Sequence, residues 1–330
     1  MKKNLLFLPL FMLLFSACST KEVYEPKVVS GEWKKYAPLK SKIVDRSSNV
    51  ALLKDGRVLS KNGIINVKID KEQRIISQSD GWILSATIDG NLTLRSQDDQ
   101  NKTKEFELKK TIASASVDND MLAVMFADDE MALYDIPSKA LLFKEQGGKS
   151  VASDMRIVNP YFMNDLLIFS TLDGKVVIVN TKLKKRLRTV IVSSQDYFNN
   201  IINFKIVDNK IIALSNSKML SLTKKELRQK YEIRNIAYDD KTIYITTKQG
   251  EVIALTPDLQ VEQKVKFPFA HFLGLISSED KLYALEKEGY IITIDKKTFD
   301  YTVEDVDIHD GFVFTAGKVF YVNDEKILVE

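Results

Sequence analysis

A short apolar run, a tight polar turn and a second apolar run recur eight times between Trp33 and the C-terminus. Copies include Asn49-Val-Ala-Leu-Leu-Lys-Asp-Gly-Arg-Val-Leu, Trp82-Ile-Leu-Ser-Ala-Thr-Ile-Asp-Gly-Asn-Leu-Thr-Leu and Lys281-Leu-Tyr-Ala-Leu-Glu-Lys-Glu-Gly-Tyr-Ile-Ile-Thr-Ile. Aligned on the turn, they fall at Gly56, Gly90, Asp129, Gly174, Ser217, Gly250, Gly289 and Gly317. Three turns are Asp-Gly, the dipeptide that best tolerates the positive φ angles of a two-residue hairpin. The flanking runs are rich in Val, Ile, Leu, Phe and Tyr, as packed strands require. Each unit has room for one strand before the hairpin and one after it. In the sixth copy these are Ile233–Tyr238 and Val261–Phe267. Four antiparallel strands in about 40 residues is the period of a propeller blade. The expectation is an all-β, eight-bladed propeller over residues 33–330, with seven blades and a spare hairpin as the fallback.

The first 32 residues follow a different rule. Lys2 and Lys3 precede an apolar run from Leu5 to Phe15, which is too short to span a bilayer as a helix. Phe15-Ser16-Ala17 then leads into Cys18, the one cysteine of the chain. This layout resembles a bacterial lipobox, in which the cysteine is acylated and becomes the first mature residue. Residues 1–17 are therefore expected to be a signal peptide and 18–32 a lipidated tether, broken by Pro26 and Gly31. Ser19 stands after the cysteine, which by analogy with enterobacterial sorting favours the outer membrane.

Composition removes several function classes. One cysteine permits no internal disulfide and no zinc site of the Cys₂His₂ or Cys₄ type. Beyond residue 17 the charges are 46 basic against 45 acidic, which lacks the excess a nucleic-acid binder needs. His271 and His309 stand apart, and Asp128-Asp129-Glu130 and Asp305-Val306-Asp307 lack calcium-loop spacing. No Gly-x-Ser-x-Gly elbow or phosphate-binding glycine loop is present. No catalytic residue, metal or cofactor is expected.

The glycine-led strands Gly174-Lys-Val-Val-Ile-Val-Asn and Gly289-Tyr-Ile-Ile-Thr-Ile-Asp resemble the repeat of quinoprotein-type propellers. Together with the lipobox and eight copies, they make the chain similar to the BamB family of outer-membrane assembly lipoproteins. The resemblance implies a non-catalytic scaffold on the periplasmic face of the outer membrane, a monomer within a complex. Its implied partners are a BamA-like barrel-assembly subunit and unfolded outer-membrane clients. A quinone-dependent oxidoreductase and a surface lipoprotein binding a host or envelope ligand are the alternatives. The first lacks the vicinal cysteines and most of the tryptophans such enzymes use.

Docking is expected in the long connections around the fourth hairpin, where turn spacings reach 45 and 43 residues. Tyr161 and Phe162 precede that hairpin, and Tyr197 and Phe198 follow it. Exposed aromatics beside polar residues suit a protein interface. The same four rings could equally fill gaps between blades. The basic run Lys182–Arg188 and the aromatic connection Phe267–Phe272 are open to both readings too.

Overall fold

A computed structural model describes residues 22–99 and 101–330, so the signal-peptide and Cys18 expectations lie outside the described residues. The described chain forms eight four-stranded antiparallel sheets. Seven are continuous in sequence, at 43–68, 74–107, 112–146, 161–191, 203–230, 233–266 and 272–305. These are blades 1 to 7. Blade 8 joins strands Val313–Ala316, Val319–Val322 and Glu325–Leu328 to the N-terminal strand Tyr36–Pro38.

Alternation along the strands explains the ring. In Lys281–Glu286 of blade 7, Leu282 and Ala284 pack toward blade 6, while Tyr283 and Leu285 pack toward blade 8. Both faces are thus buried, and the strand reads as a nearly continuous apolar run. Every neighbouring pair of blades shares such a core, including blades 8 and 1 through Phe314, Tyr321, Ala51 and Leu59. The ring is closed.

The turns are built as their residues require. Gly90 and Gly250 have φ of 93° and 77°, and a Cβ there would lie 2.3 Å from the Lys110 carbonyl and 2.0 Å from that of Phe267. Asp129 takes the same left-handed conformation at φ 66° without being glycine. The eighth copy departs from the sequence alignment. Gly317 lies between the first and second strands of blade 8, so the turn equivalent to the other seven is Asn323-Asp324. The last interval, from Gly289 to Gly317, is short because Gly317 belongs to a different hairpin of its blade.

The described part of the expected tether is packed. The Ser30 amide donates to the Val303 carbonyl at 2.7 Å, and Trp33 and Gly31 bond Asp305 on the outer strand of blade 7. Trp33 Nε1 donates to the Leu328 carbonyl in blade 8 at 3.1 Å. Tyr24 is buried edge-on against Phe267 and Tyr290, with ring centroids 6.0 and 5.7 Å away. Residues 24–33 therefore run across blades 6, 7 and 8 before Tyr36–Pro38 joins blade 8.

Candidate docking site at the centre of the ring

Two long connections meet at the ring centre, 147–160 before blade 4 and 192–202 after it. Two buried asparagines hold them. Asn200 Oδ1 accepts from the Asp154 amide at 2.7 Å, and its Nδ2 donates to the carbonyls of Asp154 and Arg156. Asn199 Nδ2 donates to the carbonyls of Asp173 and Ser193 at 2.6 and 3.1 Å. These bonds satisfy loop backbone that would otherwise be costly to bury.

The clasp sets the conformation of Phe198. Its amide donates to the Ala152 carbonyl at 2.8 Å, and its φ is 51°. An aromatic residue in the left-handed region costs on the order of 1 kcal/mol or more, and such strain persists only where the surroundings enforce it. Phe198 is nonetheless 52% exposed, and Tyr197 59%. Both line a cavity of about 700 Å³, with Arg46, Asp154, Arg156 and Arg234 on its wall.

The other two aromatics singled out from sequence are elsewhere. Tyr161 lies on the inner strand of blade 4 and packs on Phe204 of blade 5, centroids 5.4 Å apart. Phe162 is half-buried against the core between blades 3 and 4. The structure therefore brings Tyr197 and Phe198 together at the cavity and places Tyr161, which is exposed, and Phe162, which is half-buried, away from it on the inner strand of blade 4. Of the aromatic connection 267–272, Phe267 is buried beneath Tyr24, whereas His271 and Phe272 reach the cavity wall. In the basic run, Arg186 pairs with Glu145, and Arg188 pairs with Glu226 across to blade 5.

Sequence reasoning missed the three arginines, which come from blade 1, the 147–160 connection and blade 6. Asp154 grips Arg156 with both carboxylate oxygens, at 2.9 Å to Nε and 2.8 Å to Nη2. Burial alone would raise the Asp154 pKa, but this bidentate pair outweighs it and holds the carboxyl down at about 2. Arg156 Nη1 also donates to the Arg234 carbonyl at 2.6 Å. Arg46 reaches the Val313 carbonyl of blade 8. Enclosure by protein and then the charge of Arg156 press the pKa of both Arg46 and Arg234 below the usual guanidinium value. Arg46 remains open to the cavity. Arg234 Nε is buried with no hydrogen-bond partner, which costs about 1–3 kcal/mol.

Among the described residues, no group of three or more His, Cys, Asp or Glu side chains could hold a metal ion. His309 Nδ1 lies 3.6 Å from Glu325, far from His271 in sequence and on a different connection. The side chains lining the cavity offer stacking, charge and hydrogen bonding.

No protein-family model matches the chain. Two curated relatives, both named plasminogen-binding protein PgbB, come from two strains of Helicobacter pylori. They are 29% and 28% identical over 91% of this chain, which spans 64% of their length. Among solved structures, BamB from Moraxella catarrhalis superposes with a TM-score of 0.67 at 12% identity, covering 88% of this chain and 96% of that one. The C-terminal WD40 domain of Sif2 gives 0.66 at 11% identity, covering 92% and 99%. Likeness at such low identity reports the shared propeller fold.

Proposed function

We propose that this chain is a non-catalytic, protein-binding propeller of the bacterial envelope, anchored through a lipid on Cys18, that holds a protein ligand at the ring centre. The observation that carries this reading is Phe198. A strained backbone and a two-asparagine clasp hold a mostly exposed ring over a cavity, which is wasteful for a core residue and useful for an interface anchor. The relatives' name makes plasminogen the first protein ligand to test. The barrel-assembly role implied by the BamB resemblance has only the shared fold behind it, and an envelope partner is its corresponding test.

Biolayer interferometry on the purified protein should detect plasminogen binding. The double substitution Tyr197→Ala with Phe198→Ala should weaken it about thirtyfold, the scale of losing a hot spot of about 2 kcal/mol. If plasminogen fails to bind and in-cell crosslinking captures a barrel-assembly subunit, the ligand assignment moves to that subunit. Equal binding by wild type and double mutant would remove the site from the ring centre.

A further inference from the structure

The cavity beneath Phe198 carries more positive charge than its own carboxylates neutralise. Among the described residues, Arg156 is the one of its three arginines with an ion-pair partner, Asp154. The Arg46 side chain makes one described hydrogen bond, to a main-chain carbonyl, and feels Asp154 without pairing with it, and the Arg234 Nε–H is buried with nothing to donate to. Both feel the positive charge of Arg156. Like charges gathered in a partly enclosed space oppose folding, so an arrangement of this kind is paid back when an anion enters. The three residues arrive from distant parts of the chain, and Arg156 is fixed by Asp154, Asn216 and the Arg234 carbonyl. The wall is thus preorganised by contacts that leave Arg46 and Arg234 with donors to spare.

We propose that Arg46 and Arg234 form a carboxylate-binding site at the ring centre, which receives an acidic side chain or C-terminus of a peptide segment while Tyr197 and Phe198 pack on the neighbouring residues. This rests on the docking role proposed above and names the chemistry of what docks. Guanidinium forks match the planar carboxylate with two parallel hydrogen bonds. A cavity of about 700 Å³ with an aromatic rim has room for several residues of peptide around that anchor.

The probe is a dye-labelled peptide of alternating glutamate and tyrosine with a free C-terminus, followed by fluorescence anisotropy against the full folded protein. Its counterpart has glutamine for glutamate and an amidated end. The acidic peptide should bind saturably, the amide peptide at least tenfold more weakly, and added salt should weaken binding. Arg46→Gln and Arg234→Gln should each reduce affinity about tenfold without lowering the melting temperature, because relief of the crowded positive charge offsets the hydrogen bond Arg46 gives to the Val313 carbonyl. Arg46→Lys and Arg234→Lys should recover part of the loss, since charge returns without the fork. Equal binding of the two peptides, or glutamine variants that bind as wild type does, would overturn the proposal. Inorganic phosphate binding at this site without peptide binding would also overturn it. If the glutamine variants change nothing but the Tyr197/Phe198 double mutant loses plasminogen, docking stands and the carboxylate site falls. If no variant affects either ligand, both fall.

Discussion

Asp129 occupies the turn position that glycine fills in most blades, and its side chain gives the substitution a purpose. It is fully buried, with Oδ1 accepting from the Leu172 amide at 2.6 Å and Asp173 close by. Burial first, and the Asp173 charge after it, raise its pKa from 3.8 to about 7. Asp173 is tied to Lys175. Below pH 3.8 the folded and unfolded states both hold this proton. Between 3.8 and 7 the folded state alone holds it, so stability falls as pH rises through that window and the contribution is gone above 7. Asp129→Asn mimics the protonated form. It should raise the melting temperature at pH 8 by on the order of 5 °C, by a smaller amount at pH 5, and leave it nearly unchanged below pH 3.8. Parallel pH profiles for wild type and variant, read by calorimetry, would refute the raised Asp129 pKa. The sequence alignment located the turn at Asp129, but nothing local announced Asp173, which arrives from the next blade. Phe198 is similar: its aromatic, polar surroundings were legible, and its left-handed backbone was not, because the Asn199 and Asn200 clasp depends on a loop 46 residues away.

At the scale of elements, the N-terminal segment was the least legible part. Pro26 and Gly31 break any strand pattern, and nothing in residues 22–38 repeats. The clue lay at the other end. After Val313 the chain contains three strands, so a fourth had to come from elsewhere, and Tyr36–Pro38 supplies it by pairing with Glu325–Ile327. Trp33 pins this closure, edge-on to Tyr283 with centroids 6.0 Å apart. Trp33→Ala removes a buried ring and a hydrogen bond spanning the chain ends, at a cost of about 3–5 kcal/mol. The expected drop in melting temperature is roughly 6–10 °C, with peptide and plasminogen binding at low temperature unaffected. A variant that melts like wild type would show that closure does not depend on the Trp33 contact.

At the scale of the molecule, the ring was legible because its period was written in apolar residues on both faces of each strand. The charge at its centre was not: the Arg156–Arg234 contact joins residues 78 apart, and Arg46 is more distant still. A closed ring stands on mutual burial of neighbours. Deleting residues 233–271 removes blade 6 and exposes the apolar faces of blades 5 and 7. That deletion should give insoluble or protease-sensitive protein, and a soluble, cooperatively melting product would point to independent units. The proposed lipid anchor on Cys18 is testable apart from the ring. Cys18→Ala should leave a folded protein in the aqueous phase after detergent partitioning, since the acyl chains supply the membrane affinity. Retention in the membrane fraction would reject the anchor.

The claim that joins these scales is that ligands are held at the ring centre rather than along its outer edge. A photo-crosslinking amino acid placed at Phe198, and separately at Leu187 on the exposed outer strand of blade 4, tests it in purified protein mixed with plasminogen. The account predicts a protein crosslink from position 198 that disappears with Arg46→Gln and Arg234→Gln, and none from position 187. Crosslinking from position 187 alone would contradict it.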